Sequence, residues 1–309
     1  MVLSPRFLEL FDASFCMETP ELQVYRHYQQ IIPESIKANR FIQPKKVSLF
    51  EIMDDYDAFC FDGYGTLYNR GNFIYDGALE WYKALRSAGK QMRLVTNAAS
   101  NTDSVLAEEA AQRGFDFKAE EVFSSGSLLC ELNQNLNIDQ VYYIGRPTGE
   151  RVLEKAGIRA VESPTNPVVA VSSNVATPEI FDYASRILQE PNSILLVLNP
   201  DVCAPKTDGT KENVSGTLSE NLRFRSMEKS GKGCKTYYVG KPFPRLMEKV
   251  RASFKENTRV LMVGDTLGTD VYGAKLVGFD AALVVGRNVP FNEVKLHQKV
   301  LGVKPDYYL

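Results

Sequence analysis

Histidine is nearly missing from this 309-residue chain: His27 and His297 are the whole supply. Serine–histidine triads and histidine-ligated zinc centres have almost nothing to draw on. Cysteine offers little more. Cys16, Cys60, Cys130, Cys203 and Cys234 are scattered, odd in number and form no C-x-x-C pair, which suits reduced thiols in a cytoplasmic protein and not a disulfide framework. An excess of one charge is also absent. The 36 basic and 38 acidic residues leave a net −2, which favours neither nucleic acid nor an anionic membrane as a partner. No run approaches the roughly 18 apolar residues of a membrane span, and no signal-peptide pattern is seen. What remains is an ordinary globular composition, 44% hydrophobic and 24% charged, long enough for one large domain or two.

Residues 1–46 read as an appendage without visible chemistry, packed on a domain or on a neighbouring subunit of a homo-oligomer. Phe7, Leu8, Leu10 and Phe11 have helical spacing, residues 21–32 suggest a second helix, and four prolines punctuate the stretch. From residue 47 onward, short apolar runs alternate with helix-spaced segments. Strands are expected at 58–61, 91–97, 121–124, 141–144, 168–171, 194–198, 236–239, 259–263 and 281–285, with helices between them, among them 178–188 and 245–254. Such alternation predicts an α/β fold with a doubly wound parallel sheet. Residues 202–235, rich in Lys, Gly, Ser and Thr, read as a loop around a helix-capable 218–228.

Chemistry in such sheets collects past the carboxyl ends of the strands, and four expected ends carry polar residues of complementary kinds. Asp62 closes an apolar run and is followed by Gly63 and Gly65. Thr96 and Asn97 offer a hydroxyl and an amide just ahead of a helix, a natural seat for a phosphate oxygen. Lys241 stands between Gly240 and Pro242. Asp265 and Asp270 lie five residues apart in Gly264-Asp265-Thr266-Leu267-Gly268-Thr269-Asp270. Each has a plainer alternative: a turn, a helix cap or a snorkelling lysine. Together and in this order they make a phosphate and metal site. Phosphate esters repel anionic nucleophiles, so an attacking aspartate needs its surroundings neutralised. Mg²⁺, a hard ion, takes one or two carboxylates plus phosphate oxygens and water.

The ordered set resembles the haloacid dehalogenase (HAD) superfamily, mostly Mg²⁺-dependent phosphatases. The four motifs match Asp62-Gly63-Tyr64-Gly65-Thr66, Thr96-Asn97, Gly240-Lys241-Pro242 and Gly264-Asp265 to Asp270. The last two features to fit, Asn199-Pro200-Asp201 and Gly-Lys-Pro, are similar to the subclass of predicted sugar phosphatases and p-nitrophenyl phosphatases, which carries an α/β cap. The resemblance implies Asp62 as nucleophile and Mg²⁺ held by Asp62, Asp265 and the Tyr64 carbonyl, with Asp270 steering a bound water. Thr96, Asn97 and Lys241 would grip the phosphate of a small phosphorylated metabolite. Asn199 and Asp201, just before the return to the core, are candidates to face the substrate, with a strand-ending turn as the plainer alternative. Spacing agrees. Only 34 residues separate Asp62 from Thr96, whereas 144 separate Asn97 from Lys241, far beyond a simple crossover. The expected organisation is a HAD-like core, 47–137 plus 236–309, with a smaller α/β cap at 138–235.

One position departs from the family pattern. The residue two after the nucleophile is an acid–base aspartate in the phosphatases and is Tyr64 here. A phenol, with a reference pKa of about 10, handles protons poorly at neutral pH, and positioned acid–base catalysis is worth roughly 10²–10⁴-fold. Two further readings therefore stand beside the phosphatase. One is a weakly active or non-catalytic binder of phosphate and Mg²⁺. The other is a 2-haloacid dehalogenase, which shares Asp-x-Tyr-Gly-Thr but carries its cap between the first two motifs.

Overall fold

The computed structural model describes residues 19–33, 36 and 43–309; the helical spacing at residues 7–11 lies outside them. Strands β1 (Lys45–Lys46), β2 (Ala58–Phe61), β3 (Gln91–Thr96) and β4 (Val122–Ser124) come first. Next are β5 (Gln140–Ile144), β6 (Arg159–Ala160), β7 (Val168–Val171), β8 (Ile194–Val197), β9 (Cys203–Pro205), β10 (Lys211–Asn213) and β11 (Lys235–Tyr238). Last come β12 (Val260–Gly264), β13 (Asp280–Leu283) and β14 (Tyr307–Tyr308). They build a seven-stranded sheet, β1-β14-β13-β12-β2-β3-β4, a five-stranded sheet, β11-β8-β7-β5-β6, and the hairpin β9-β10. Every pairing within the two larger sheets is parallel.

Parallel strands covered on both faces must be apolar throughout, and every residue of β2, β7 and β12 is buried. From β2 the chain winds outward through β3 and β4. After the inserted sheet it returns to the other side through β12, β13 and β14. The winding therefore reverses between β2 and β12, where open α/β sheets form their ligand crevice. Phe61 pairs with Leu94 on one side and Val263 on the other, so the carboxyl ends of β3, β2 and β12 lie side by side.

Two expectations need correction. The strand expected at 236–239 to reopen the core is β11, and it pairs with β8 in the smaller sheet. Periodicity identifies a strand but not its partner, and the neighbouring free edge belonged to β8. The segment 202–235, expected as a loop around a helix-capable 218–228, has the helix but little loop around it. It holds the β9-β10 hairpin and the 16-residue helix Ser215–Ser230. Much of that helix's buried surface is polar, including Thr217, Glu220 and Ser226, so its apolar stripe is weak and it runs beyond the helix-capable 218–228 at both ends. Glu220 accepts from Tyr238 Oη at 2.6 Å and from Arg223 Nε at 2.8 Å.

The helix expected at 21–32 is Pro20–Ile31, with Thr19 Oγ1 accepting the Leu22 N–H at 3.4 Å as its cap. Leu22, Val24, Tyr25 and Tyr28 are buried against its own chain, beside the helix Val294–Leu301 and the turn that follows β12. No helix among the described residues is long and apolar enough to cross a membrane.

Candidate active site

Asp62 leaves β2 at the reversal point. The chain then doubles back, with Leu67 N–H donating to Gly63 O at 2.9 Å. Gly65 makes this possible with φ +97°, a conformation open to glycine, and a Cβ there would collide with Asp265 Oδ2. Asp265 follows β12 directly. Asp270 sits in the π-helical turn Leu267–Val271, a local widening common at functional sites. The turn brings Asp270 back to the strand end, where its Oδ2 accepts the Thr266 N–H at 3.1 Å. One oxygen each from Asp62, Asp265 and Asp270 lie within 4.8 Å of one another.

Lys241, 1% exposed, reaches into this group. Its Nζ donates to Asp62 Oδ1 at 2.8 Å, Asp270 Oδ1 at 2.7 Å and Val95 O at 2.7 Å, which uses all three ammonium donors. Burial alone would depress the lysine pKa, but Asp270, Asp62 and Asp201 outweigh it and hold the ammonium charged. The carboxylates move the other way. Burial pushes Asp62 up to about 7 against the pull of Lys241, and raises Asp201 to about 6. Asp265 is pushed well above the carboxylate range by burial and by Asp62 and Asp270. Four carboxylates share one buried ammonium, and Asp265 Oδ2 is buried with no hydrogen-bond partner. An orphaned carboxylate oxygen in an all-oxygen, negatively charged group fits a hard divalent cation.

The other expected residues divide. Thr96, at the end of β3, lines the cavity beside Asp62 and Lys241. Asn97, expected to grip phosphate with it, does not line that cavity. Its Nδ2 donates to Asp201 Oδ1 and Lys241 O at 2.8 Å each, and its Oδ1 accepts the Lys241 N–H at 2.7 Å. The amide is fully engaged in bolting three segments together, so it has nothing left for a ligand. Gly240, at φ +96°, lets the chain pass that close, since a Cβ there would strike Asn97 Oδ1. Asn199 does line the cavity, with its Oδ1 accepting the Asp201 N–H at 2.9 Å. Tyr64 is half-buried and its hydroxyl donates to Glu109 Oε2 at 3.3 Å. Burial and Glu109 raise its pKa further.

Several residues escaped the sequence reading. Asn288, after β13, donates from Nδ2 to Thr266 Oγ1 at 2.7 Å, and Thr266 Oγ1 donates to Asp265 Oδ1 at 3.0 Å. Glu109 holds Tyr64, and Asn101 Nδ2 holds the other Glu109 oxygen at 2.7 Å. Neither belongs to a motif; only the packing of separate segments reveals them. The cavity, about 290 Å³, opens between the two sheets. Its floor is the Asp62–Lys241–Asp265–Asp270 group, and the smaller sheet contributes Arg146, Ser172, Ser173 and Asn174 to its roof.

Comparison with known proteins meets this geometry. A family model described as haloacid dehalogenase-like hydrolase matches residues 59–159, and one described as HAD-hydrolase-like matches 238–297. The 4-nitrophenylphosphatase of Schizosaccharomyces pombe is 28% identical over 298 residues, which cover 88% of this chain and 96% of that protein. A possible sugar phosphatase of the HAD superfamily from Cytophaga hutchinsonii shares the fold, with TM-score 0.71, 22% identity and coverage of 86% and 97% of the two chains. So does the glycerol phosphate phosphatase of Mycobacterium tuberculosis in complex with magnesium, with TM-score 0.64, 22% identity and coverage of 84% and 76%. The two matched stretches contain all of Asp62, Thr96, Lys241, Asp265 and Asp270, and the chain belongs to the haloacid dehalogenase-like hydrolases.

Proposed function

We propose that the chain is a Mg²⁺-dependent phosphoric monoester hydrolase that acts on a small phosphorylated metabolite through an aspartyl-phosphate on Asp62. The carrying observation is the buried Asp62–Asp265–Asp270 group around Lys241, with Asp265 Oδ2 unpartnered. The named activities of the relatives support the same reaction class. Asp62 and Asp265, with the Tyr64 carbonyl, would hold Mg²⁺, which supplies charge neutralisation for the phosphoryl oxygens; Asp270 stands beside them.

Lys241 fixes Asp62 Oδ1, which leaves Oδ2 to attack phosphorus as the ester P–O bond breaks. Thr96 and Lys241 then stabilise the charge on the transferring group. Water opens the acyl phosphate and restores the carboxylate. Tyr64 directs its hydroxyl hydrogen bond at Glu109 and has no donor aimed at a leaving group in this arrangement. This favours substrates whose leaving groups need little protonation, such as aryl esters and acyl phosphates, and gives slow turnover of alkyl esters. Dehalogenation has no comparable support, because that chemistry has no use for the three-carboxylate group.

Hydrolysis of p-nitrophenyl phosphate and acetyl phosphate, with and without Mg²⁺, tests the reading. Mg²⁺-dependent turnover that disappears in Asp62→Asn is the expected result. Turnover retained by Asp62→Asn would sink it. If only Tyr64→Asp is active, the phosphate-binding alternative holds for the native chain.

A further inference from the structure

The helix Pro20–Ile31 lies outside both matched stretches, and beside the helix Val294–Leu301 it packs on the turn that carries Asp270. The Tyr25 ring packs against Gly268, in the middle of the Leu267–Val271 turn, so closely that a Cβ on Gly268 would come within 2.4 to 2.9 Å of Tyr25 Cγ, Cδ2 and Cδ1. Two residues on in that turn is Asp270, and three back is Asp265. At its far end Tyr25 Oη accepts the Val202 N–H at 3.4 Å, next to Asp201. Tyr25 is 1% exposed. A single side chain from a remote helix thus touches both acidic segments from behind.

The rest of the helix holds Tyr25 in place. Glu21 Oε2 pairs with Lys211 Nζ at 2.9 Å on the β9-β10 hairpin, and Gln29 Nε2 donates to Leu301 O at 3.1 Å. The Tyr28 ring stands 5.2 Å from both the Tyr238 and Phe243 rings. Tyr238 ends the smaller sheet, and Phe243 lies two residues past Lys241. The helix therefore bridges both sheets at the point where the chain crosses between them.

We propose that Tyr25 is a positioning residue for the catalytic carboxylates. Its ring sets the height of the Gly268 turn, and so the placing of Asp265 and Asp270, while its hydroxyl anchors the segment of Asp201. The proposal rests on the cation reading above, and it assigns a role to an element that has no motif. Groups that orient ligands from behind typically change metal affinity by about 10–100-fold when removed. A ring against a glycine is also a contact whose two sides can be altered separately.

The experiment measures Mg²⁺ or Mn²⁺ binding by calorimetry, with melting temperature and the kcat and KM for p-nitrophenyl phosphate, on four proteins beside the wild type. Tyr25→Ala should weaken the ion by about 10–100-fold and lower kcat more than it raises substrate KM. Tyr25→Phe keeps the ring and should stay within about threefold of wild-type ion affinity. Gly268→Ala pushes the turn off the ring and should also weaken the ion. The double variant Tyr25→Ala/Gly268→Ala, in which the methyl meets a vacated space, should bind better than the two losses combined predict.

A folded Tyr25→Ala with wild-type ion affinity overturns the proposal, and so do strictly additive losses. If Tyr25→Ala does not fold, Gly268→Ala decides alone, and unchanged ion affinity there overturns it. A wild type that binds no divalent ion overturns the cation reading itself, a different result from variants that bind as well as wild type.

Discussion

The molecule contains the same architecture twice and uses it for opposite purposes. Both larger sheets are parallel, with helices on their faces and loops at their carboxyl ends. The ends of the seven-stranded sheet carry Asp62, Thr96 and Asp265. The ends of the smaller one carry Ser172 after β7 and Asn199 after β8, neutral groups held by nearby hydroxyls and by the Asp201 N–H respectively. Ser172 Oγ lies 2.5 Å from Tyr143 Oη, and Ser173 Oγ lies 2.9 Å from Ser100 Oγ on the other side of the cavity. Buried charge is expensive unless matched, and the ammonium of Lys241, carried past the end of β11 in the smaller sheet, reaches across to match the carboxylates at the larger sheet's strand ends. The same architecture thus presents a crowded acidic group at one set of strand ends and mainly neutral groups at another; the side chains placed there, not the fold, make the difference.

The contrast breaks if the charged end proves dispensable. Asp62→Asn should lower kcat by on the order of 10³-fold or more, assayed on p-nitrophenyl phosphate with Mg²⁺. It should also raise the melting temperature of the ion-free protein, because it removes one of several crowded carboxylates. Lys241→Met should abolish turnover as well, with the opposite sign in stability. It strands Asp62 and Asp270 without their counter-ion, at a cost of about 3–5 kcal/mol, read by urea unfolding. Equal stability changes in the two variants would show that the acidic group is not under the electrostatic stress its burial implies.

The centre of the larger sheet was legible in the sequence because β2 and β12 are short, apolar and followed by the polar residues of the candidate site, whereas the edge strands β1 and β14 were not anticipated. The run at 58–61 and the strand β2 coincide, and Asp62, Thr96, Lys241, Asp265 and Asp270 converge as their order along the chain suggested. The residues that were misread fail for one physical reason: their roles are set by partners distant in sequence. Asn97 looked like a ligand because amides at strand ends often are; its partners, Asp201 and Lys241, are more than 100 residues away. Strand β11 was assigned to the wrong sheet for the same reason. The helix Ser215–Ser230 was anticipated only over 218–228, because its buried polar residues weaken the pattern at its start, and Tyr25 was missed for want of any local feature pointing to Gly268.

Smaller effects should grade the distance from charge. Asn97→Ala removes an amide that serves both sheets and leaves the Lys241 backbone and Asp201 short of partners. The expected cost is about 3 kcal/mol, with kcat reduced about tenfold or more, measured by unfolding and steady-state kinetics. Ser172→Ala removes one neutral hydroxyl contact, worth about 1 kcal/mol. It should change KM by less than about tenfold and kcat by less than about twofold. A larger loss in kcat for Ser172→Ala than for Asn97→Ala would reverse the division of labour between the sheets.

The smallest effect sharpens the comparison by sign. In the ion-free protein the acidic group and the N-terminal helix respond to pH in opposite directions. Asp62, Asp201 and Asp265 have folded pKa values above their ordinary ones, so the folded state binds protons before the unfolded state does. Their contribution to stability falls as pH rises through 6 and 7, and Mg²⁺ should remove that slope by binding the ionised form. His27 on the helix Pro20–Ile31 and His297 on the helix packed beside it are both lowered by burial. There the unfolded state takes the proton first. Stability is complete above the ordinary histidine value of 6.5 and declines as pH falls below it toward the folded values. With Mg²⁺ present, melting temperatures from pH 7.5 to 5.5 should therefore fall, and His27→Gln and His297→Gln should each flatten the fall relative to wild type. Parallel curves for all three proteins would show that the helix seam is not where acid acts, and that the carboxylates alone set the pH dependence of the fold.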